Sequence, residues 1–210
     1  MMNVFIGHFS DVLEVIIKYI PISLVLVENK PVNKNIIRIC KKKNIKYAII
    51  EDYKSLFNEL SHIPKIELCF IASFGMILKK DLIRKCKYII NFHPGDIEKI
   101  RGRHPLPMAI IERQKLMSIT VHLIDSEKID TGTILAKVMV HIDYNSDYKT
   151  NEKHLLSFLK PLAGYVAKYY LKYQRFNSYD WNVKKSEYFN PLDKQKLNHI
   201  LHAVHLKEIF

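Results

Sequence analysis

Short, continuous apolar runs alternate with amphipathic segments along the first ninety residues of this 210-residue chain. Apolar runs of this length are typical of parallel strands that are covered on both faces. The pattern predicts strands at Asn3–Ile6, Ile22–Val27, Tyr47–Ile50 and Glu67–Ala72, with helices from Ser10, at Asn33–Lys43 and at Tyr53–Leu60. Such repetition favours an α/β fold with a Rossmann-like, doubly wound and mostly parallel sheet.

The first turn of the predicted sheet has few glycines. It reads Gly7-His8-Phe9-Ser10, with one glycine where a dinucleotide-binding fold would carry G-x-G-x-x-G. We therefore do not expect this chain to bind a dinucleotide.

The charge of the chain indicates which kind of partner it binds, and its cysteine content indicates the compartment in which it works. The chain has 33 Lys and Arg against 21 Asp and Glu, a net charge of +12, which indicates an anionic partner. Its three cysteines form no C-x-x-C pair, and we expect buried, reduced thiols in a cytoplasmic protein. Lys18 and Pro21 interrupt the N-terminal apolar run, so neither a signal peptide nor a membrane span is expected.

Asn91 and His93 form an N-x-H pair where a strand is expected to end. The apolar run Tyr88–Ile90 precedes them, and Pro94-Gly95 then stops regular structure. Ligands bind at the carboxyl ends of strands in open α/β sheets, and residues two apart on a strand point the same way. An amide beside an imidazole suits stabilising a carbonyl oxygen as it gains charge, although an isolated N-x-H is more often structural.

Further motifs follow in a fixed order. A strand is predicted over Ser118–Asp125, then a loop with Asp130-Thr131-Gly132, then a strand over Thr133–His141. The chain resembles the folate-dependent formyltransferases, a family that includes glycinamide ribonucleotide, methionyl-tRNA and nucleotide-sugar N-formyltransferases. The motifs that carry this resemblance are Asn91-Phe92-His93, Pro94-Gly95, Arg101-Gly102-Arg103-His104-Pro105, Ile119-Thr120-Val121-His122 and Asp130-Thr131-Gly132.

The resemblance implies that a formyl group moves from 10-formyltetrahydrofolate to a primary amine, without a metal. Asn91, His93 and Asp130 would be catalytic, and a carboxylate near an imidazole is expected to raise the pKa of the imidazole. We expect His104 and His122 to be hydrogen-bonded structural residues. The folate pocket would have two walls, formed by Phe74, Gly75, Met76, Ile77 and Leu78 and by Ser126, Glu127, Lys128 and Ile129.

The molecule that accepts the formyl group is predicted from the residues that follow the N-x-H motif and from the two ends of the chain. The resemblance places the acceptor near Pro94, Gly95, Arg101, Gly102, Arg103 and His104, where an arginine can bind phosphate. Glycinamide ribonucleotide enzymes carry a Gly/Ser/Asn-rich loop at the first turn, which is missing here. Fewer than seventy residues follow His141, and they have a helical pattern rather than that of the β-rich RNA-binding domain of methionyl-tRNA enzymes.

These features favour a nucleotide-activated amino-dideoxysugar as the acceptor, a precursor of surface polysaccharide such as O antigen. No nucleic-acid partner is expected. Methionyl-tRNA and glycinamide ribonucleotide remain alternative acceptors. A non-catalytic folate-binding or nucleic-acid-binding protein of the same fold remains an alternative of another class, and the net charge of +12 keeps it open.

The C-terminal part is expected to be an appendix to a catalytic domain of residues 1–175. A helix over Thr150–Arg175 should be kinked at Pro161. Residues 176–210 contain the aromatic residues Tyr179, Trp181, Tyr188 and Phe189 and a predicted helix over Lys194–Lys207. His199, His202 and His205 recur every three residues, which does not match metal-ligand spacing on a helix. We expect this extension to pack against the domain or a second subunit, so a homodimer stays open.

Overall fold

The computed structural model describes residues 2–176 and 187–209. Its strands are β1 (Met2–Gly7), β2 (Leu24–Glu28), β3 (Lys46–Ile50), β4 (Ile66–Ala72), β5 (Cys86–His93), β6 (Ile100–Arg101), β7 (Leu116–Leu123), β8 (Ile134–His141) and β9 (Glu187–Tyr188). Seven of them form one sheet in the order β3-β2-β1-β4-β5-β7-β8, and β6 pairs with β9.

The sheet is parallel from β3 to β5 and antiparallel beyond β5. Strand β7 runs antiparallel to β5, and β8 runs antiparallel to β7. The prediction of a mostly parallel α/β sheet is confirmed. Strands β7 and β8 are joined by a loop without a crossover helix, and strands joined in this way pair in opposite directions.

Helices cover both faces of the sheet. They are α1 (Ser10–Ile16), α2 (Lys34–Lys43), α3 (Tyr53–Ser61), α4 (Lys80–Ile83), α5 (Pro105–Ile111), α6 (Tyr148–Ser157), α7 (Leu159–Tyr173) and α8 (Lys194–His202), with short 3₁₀ turns at Pro31–Asn33 and Leu206–Ile209. Within the described residues, none of these helices has the length and apolar character needed to cross a membrane.

Two apolar clusters hold the layers together because alternate residues of a strand point to opposite faces. Phe5 and Phe70 are buried in one cluster, with side chains of α1 and α7. Their neighbours Ile6 and Ile71 are buried in the other, with Leu56 of α3. The central strands therefore present buried apolar side chains on both faces, as the sequence pattern predicts.

Pro161 does not kink a long helix, so the prediction of one helix over Thr150–Arg175 is wrong. Helix α6 ends at Ser157, and α7 begins two residues later at Leu159. Pro161 lies in the first turn of α7, where backbone N–H groups have no partner within the helix. The missing N–H of Pro161 therefore breaks no hydrogen bond of α7. The proline ring, in turn, prevents α6 from continuing.

The described part of the C-terminal extension packs on the domain. Ile200 of α8 and Leu206 are buried in the larger cluster, and the backbone N–H of Leu206 donates to the carbonyl of Ser146 at 3.0 Å. The predicted helix over Lys194–Lys207 ends at His202. Tyr179 and Trp181 lie outside the described residues.

Candidate active site

Strand β5 brings Asn91 and His93 to the carboxyl edge of the parallel sheet. Because β5 pairs with β4 on one side and β7 on the other, its ladder extends to His93. Asn91 lies opposite His122 of β7, and His93 lies opposite Thr120. Strand pairing thus adds a second imidazole beside the predicted pair.

Asp130 reaches the same place from the loop between β7 and β8. Its backbone is left-handed, with a φ of 51°, a conformation that aspartate tolerates better than most residues. A Cβ at Gly132 would overlap the carbonyl oxygen of Leu123, so only glycine allows this close approach. Oδ2 of Asp130 accepts a hydrogen bond from the N–H of Gly102 at 3.0 Å.

Four side chains form one polar cluster at this edge. Oδ2 of Asp130 lies 3.7 Å from Nδ1 of His93, and its Oδ1 lies 3.4 Å from Nε2 of His122. Nε2 of His122 is in turn 3.1 Å from Nδ2 of Asn91. His93 is 8% exposed and His122 1% exposed, so these groups interact away from bulk water. The three predicted catalytic residues therefore lie together.

His122 fixes the orientation of the Asn91 amide. Its Nδ1 lies 2.9 Å from the carbonyl oxygen of Leu123, which can only accept, so Nδ1 is the donor. Its Nε2 lies 3.1 Å from the amide nitrogen of Asn91 and 3.4 Å from Oδ1 of Asp130, so His122 contacts both groups, and the second N–H of Asn91 points away from it and is left for a ligand. We expected His122 to be a hydrogen-bonded structural residue, and its partners are the catalytic candidates themselves.

Burial lowers the pKa of His93 below its usual value, and it outweighs the opposing effect of the nearby Asp130 carboxylate. The charge of Asp130 does raise the pKa of this imidazole, as expected, but its effect is smaller than that of burial, so the net pKa is lowered. A carboxylate 3.7 Å away is too distant for a hydrogen bond and compensates only part of the desolvation. His93 is neutral at pH 7.

Asp130 is ionised. Burial by itself would raise the pKa of its carboxyl group, but the imidazoles of His93 and His122 and the N–H of Gly102 hold that pKa well below its ordinary value. The cluster at pH 7 therefore combines one fixed negative charge with a neutral imidazole.

A cleft of about 710 Å³ opens beside this cluster, and Asn91, His93 and Asp130 line it. The two predicted walls face each other across it, and all of their nine residues line it: Phe74, Gly75, Met76, Ile77, Leu78, Ser126, Glu127, Lys128 and Ile129. The carboxylate of Glu127 accepts the N–H of Lys80 at 3.1 Å, which links the second wall to the start of α4, two residues after the first wall.

The residues predicted to bind the acceptor are only partly in the cleft. Pro94, Gly102, Arg103 and His104 line it, whereas Gly95 and Arg101 are not among its lining residues. Burial, followed by the charge of Arg103, lowers the pKa of His104, so this imidazole is also neutral at pH 7.

Sequence reasoning missed part of the cleft lining. Glu28, Lys30 and Tyr188 border the cleft, and Tyr188 is 48% exposed. Glu28 is the last residue of β2, so the rule that ligands bind at the carboxyl ends of parallel strands could have identified it. Tyr188 reaches the cleft because β9 pairs with β6, a long-range contact that no local pattern predicts.

Gly95 lies behind His93 and supports it. A Cβ at Gly95 would overlap Nε2 of His93 and would lie 2.7 Å from Cβ of Pro105. We therefore expect Gly95→Ala to displace the imidazole and to lower turnover about 10- to 100-fold, because small displacements of a catalytic group are costly. Steady-state kinetics would measure this, and Gly164→Ala, at an uncrowded position of α7, is the matched control. Unchanged turnover in folded Gly95→Ala would contradict this view of His93.

Residues 2–176 and 187–209 contain no group of three or more His, Cys, Asp and Glu side chains placed to hold a metal ion.

Solved structures share this fold. An N-formyltransferase from Helicobacter canadensis, in complex with folinic acid and dTDP-3-aminofucose, superposes with a TM-score of 0.75 at 19% identity, covering 95% of this chain and 73% of that one. Phosphoribosylglycinamide formyltransferase from Streptococcus pneumoniae TIGR4 gives a TM-score of 0.69 at 19% identity, covering 81% of this chain and 99% of that one.

Sequence comparison agrees with the fold. The methionyl-tRNA formyltransferase of Wolbachia pipientis (strain wPip) is 27% identical over 118 residues, which are 56% of this chain and 37% of that protein. The chain spans about a third of the length of the curated relatives it matches. A family model described as formyl transferase matches residues 23–161, about two thirds of the chain. The chain therefore belongs to the formyl transferase family.

Proposed function

We propose that this protein transfers a formyl group from 10-formyltetrahydrofolate to the primary amine of a nucleotide-activated amino-dideoxysugar. One observation carries the proposal. The amide of Asn91, the imidazole of His93 and the carboxylate of Asp130 converge on a cleft with a largely apolar wall and a charged region. An amide donor, a neutral imidazole and a fixed carboxylate are the groups that acyl transfer to an amine requires.

The donor would lie between the two walls of the cleft. Phe74, Ile77 and Leu78 supply apolar surface, and the backbone of the same loop supplies polar groups. This matches the general character of small-molecule sites, which are mostly apolar with a few fixed polar groups. The H. canadensis relative was crystallised with folinic acid, a formylated folate, which supports a folate donor for this chain.

The proposed reaction forms a bond between the amine nitrogen and the formyl carbon and breaks the bond from that carbon to N10 of the folate. The free N–H of Asn91 donates to the formyl oxygen as it becomes negative. Neutral His93 takes the proton that the amine loses and returns it to N10 as that nitrogen leaves. The Asp130 carboxylate stabilises the imidazolium that forms between these two steps.

The acceptor would occupy the charged region of the cleft. The ammonium group of Lys30 and the guanidinium group of Arg103 can neutralise a diphosphate, and the half-exposed ring of Tyr188 can stack on a nucleobase. The relative from H. canadensis was solved with dTDP-3-aminofucose. Methionyl-tRNA is the second candidate acceptor, because curated relatives matched in sequence are methionyl-tRNA formyltransferases.

A competition among acceptors tests the proposal. Purified protein with 10-formyltetrahydrofolate should formylate at least one dTDP- or UDP-linked amino-dideoxysugar with a kcat/KM at least about 100-fold above that for methionyl-tRNA or glycinamide ribonucleotide, a gap of about 2.7 kcal/mol. Faster formylation of methionyl-tRNA would contradict the proposed acceptor. Folinic acid binding without turnover on any acceptor would contradict the enzymatic function.

Arg103→Ala is expected to raise the KM for the nucleotide sugar about 10- to 100-fold with a much smaller change in kcat, measured at saturating 10-formyltetrahydrofolate because Arg103 also donates to the carbonyl of Gly75 in the donor wall. Contacts to the diphosphate are made equally before and during the reaction, so their loss weakens binding of the substrate and the transition state alike. Arg101→Ala removes the same charge from a position outside the cleft lining and should raise KM by a smaller factor. The opposite order of the two effects would show that Arg101 is the residue that meets the phosphates.

A further inference from the structure

Glu28 has no part in the chemistry proposed above, yet its carboxylate borders the cleft. It ends β2, two strands away from β4 in the sheet, and its side chain is only 13% exposed. A carboxylate kept so far from water needs specific partners to offset its desolvation. The partners of the Glu28 carboxylate identify the role of this residue.

The peptide groups of Gly75 are held from two sides. Oε2 of Glu28 accepts the N–H of Gly75 at 3.2 Å, and Nη2 of Arg103 donates to the carbonyl oxygen of Gly75 at 2.7 Å. The two side chains come from distant parts of the chain, 47 and 28 residues away from Gly75. Gly75 is thereby fixed relative to both β2 and the Arg103 loop.

The Glu28 side chain is itself held in place. Its Oε2 also pairs with Nζ of Lys30 at 2.7 Å. Its Oε1 lies 2.8 Å from where a Cβ of residue 75 would be, so a side chain at position 75 would push the carboxylate away from this place. The φ of Gly75 is not in the left-handed region, so the close approach of Glu28, and not backbone strain, is what a side chain there would disturb.

The loop that Glu28 contacts forms the proposed donor wall. Residues 73–79 lie between the end of β4 and the start of α4 and are in neither helix nor strand, so ladder hydrogen bonds do not set their path. Ser73 opens the loop in a left-handed conformation, with a φ of 60°. The shape of this wall therefore depends on the side chains that bind its backbone.

We propose that Glu28 is a positioning residue for the formyl donor: its carboxylate holds the Gly75 N–H and so keeps the Phe74–Leu78 wall in the conformation that receives the folate. The inference rests on the proposed function only for the identity of that ligand. Glu28 acts through the loop and touches no reacting atom. Its effect should appear in donor binding and not in the chemical step.

Binding of folinic acid, measured by isothermal titration calorimetry, tests this role. Glu28→Ala removes the acceptor of a charge-assisted hydrogen bond, and the affinity for folinic acid should fall about tenfold or more. Glu28→Gln keeps an oxygen of the same reach for the Gly75 N–H but loses the negative charge, and with it the ion pair with Lys30 and the charge assistance of the hydrogen bond. It should retain an affinity within about threefold of the wild type, since half-exposed ion pairs contribute little. Turnover should show a raised KM for 10-formyltetrahydrofolate in Glu28→Ala, with kcat at saturating donor nearly unchanged.

Glu67→Ala is the matched control. Glu67 is also 13% exposed and also pairs with a lysine, Lys87 at 2.5 Å, but it does not border the cleft. Its loss should lower the thermal unfolding midpoint without lowering folinic acid affinity. Equal affinities in wild type and Glu28→Ala, or equal losses in the alanine and glutamine variants, would overturn the positioning role. Wild-type protein that does not bind folinic acid would instead contradict the proposed function.

Discussion

Replacing His93 by alanine is expected to lower kcat by a factor of about 10² to 10⁴, because in the proposed reaction this imidazole takes the proton from the amine and gives it to the leaving nitrogen. The substitution removes a ring that lies in the polar cluster and lines the cleft, so the loss should concern chemistry more than donor binding. Single-turnover measurements at saturating folate and sugar would isolate that step.

Two further measurements show whether the loss of turnover is specific to the chemical step and to His93. Folinic acid affinity should change by less than about threefold in His93→Ala, because the donor walls lie in other loops. His141→Ala, which removes an exposed imidazole at the end of β8, is the matched control and should leave kcat unchanged. Near-normal turnover in His93→Ala would contradict the proposed mechanism.

Local patterns predicted the elements that carry this site. Apolar runs identified β1, β2 and β4 because parallel strands buried on both faces leave a continuous apolar signature, and shorter runs identified β3 at the sheet edge and part of β5. Asn91 and His93 were recognised from their position after such a run, and Asp130 from its place in a D-x-G motif. In each case the informative residues are neighbours in sequence.

Other features depend on the tertiary structure. His122 joins the cluster because β7 pairs antiparallel with β5 and brings it opposite Asn91. The pKa of His93 falls because the packed sheet excludes water from it, and a nearby carboxylate in the sequence gives no measure of that burial. Glu28 meets Gly75 from 47 residues away. Sequence motifs thus predicted three of the residues that meet at this edge of the sheet, but not their protonation or the side chains that hold them in place.

The break between α6 and α7 at Phe158 shows a different limit of prediction from sequence. Both a kinked helix and two separate helices satisfy the apolar spacing from Leu155 to Tyr170, so periodicity could not distinguish them. The position of Pro161 accounts for the break: a proline ring clashes with the carbonyl four residues earlier, so α6 ends at Ser157 and Pro161 lies in the first turn of α7. The proline was visible in the sequence, but a kink and a break were both compatible with it.

Replacing Asp130 by asparagine should lower kcat/KM about 10² to 10⁴-fold and should also shift its pH dependence. In the proposed mechanism the neutral form of His93 is active, so activity rises with pH through the pKa of His93, which lies below its usual value. The negative charge of Asp130 raises that pKa. Asparagine keeps the shape and can still accept the Gly102 N–H, but it removes the charge.

The acidic limb of the pH profile should therefore move to lower pH in Asp130→Asn, even though the plateau is much lower. Asp125→Asn, in the same loop but exposed, is the matched control and should leave the limb in place. A limb that moved to higher pH would show that Asp130 does not act on His93 through its charge. Activity that fell as pH rose through this range would show that the imidazolium is the active form, because only a protonated donor would be lost in that direction.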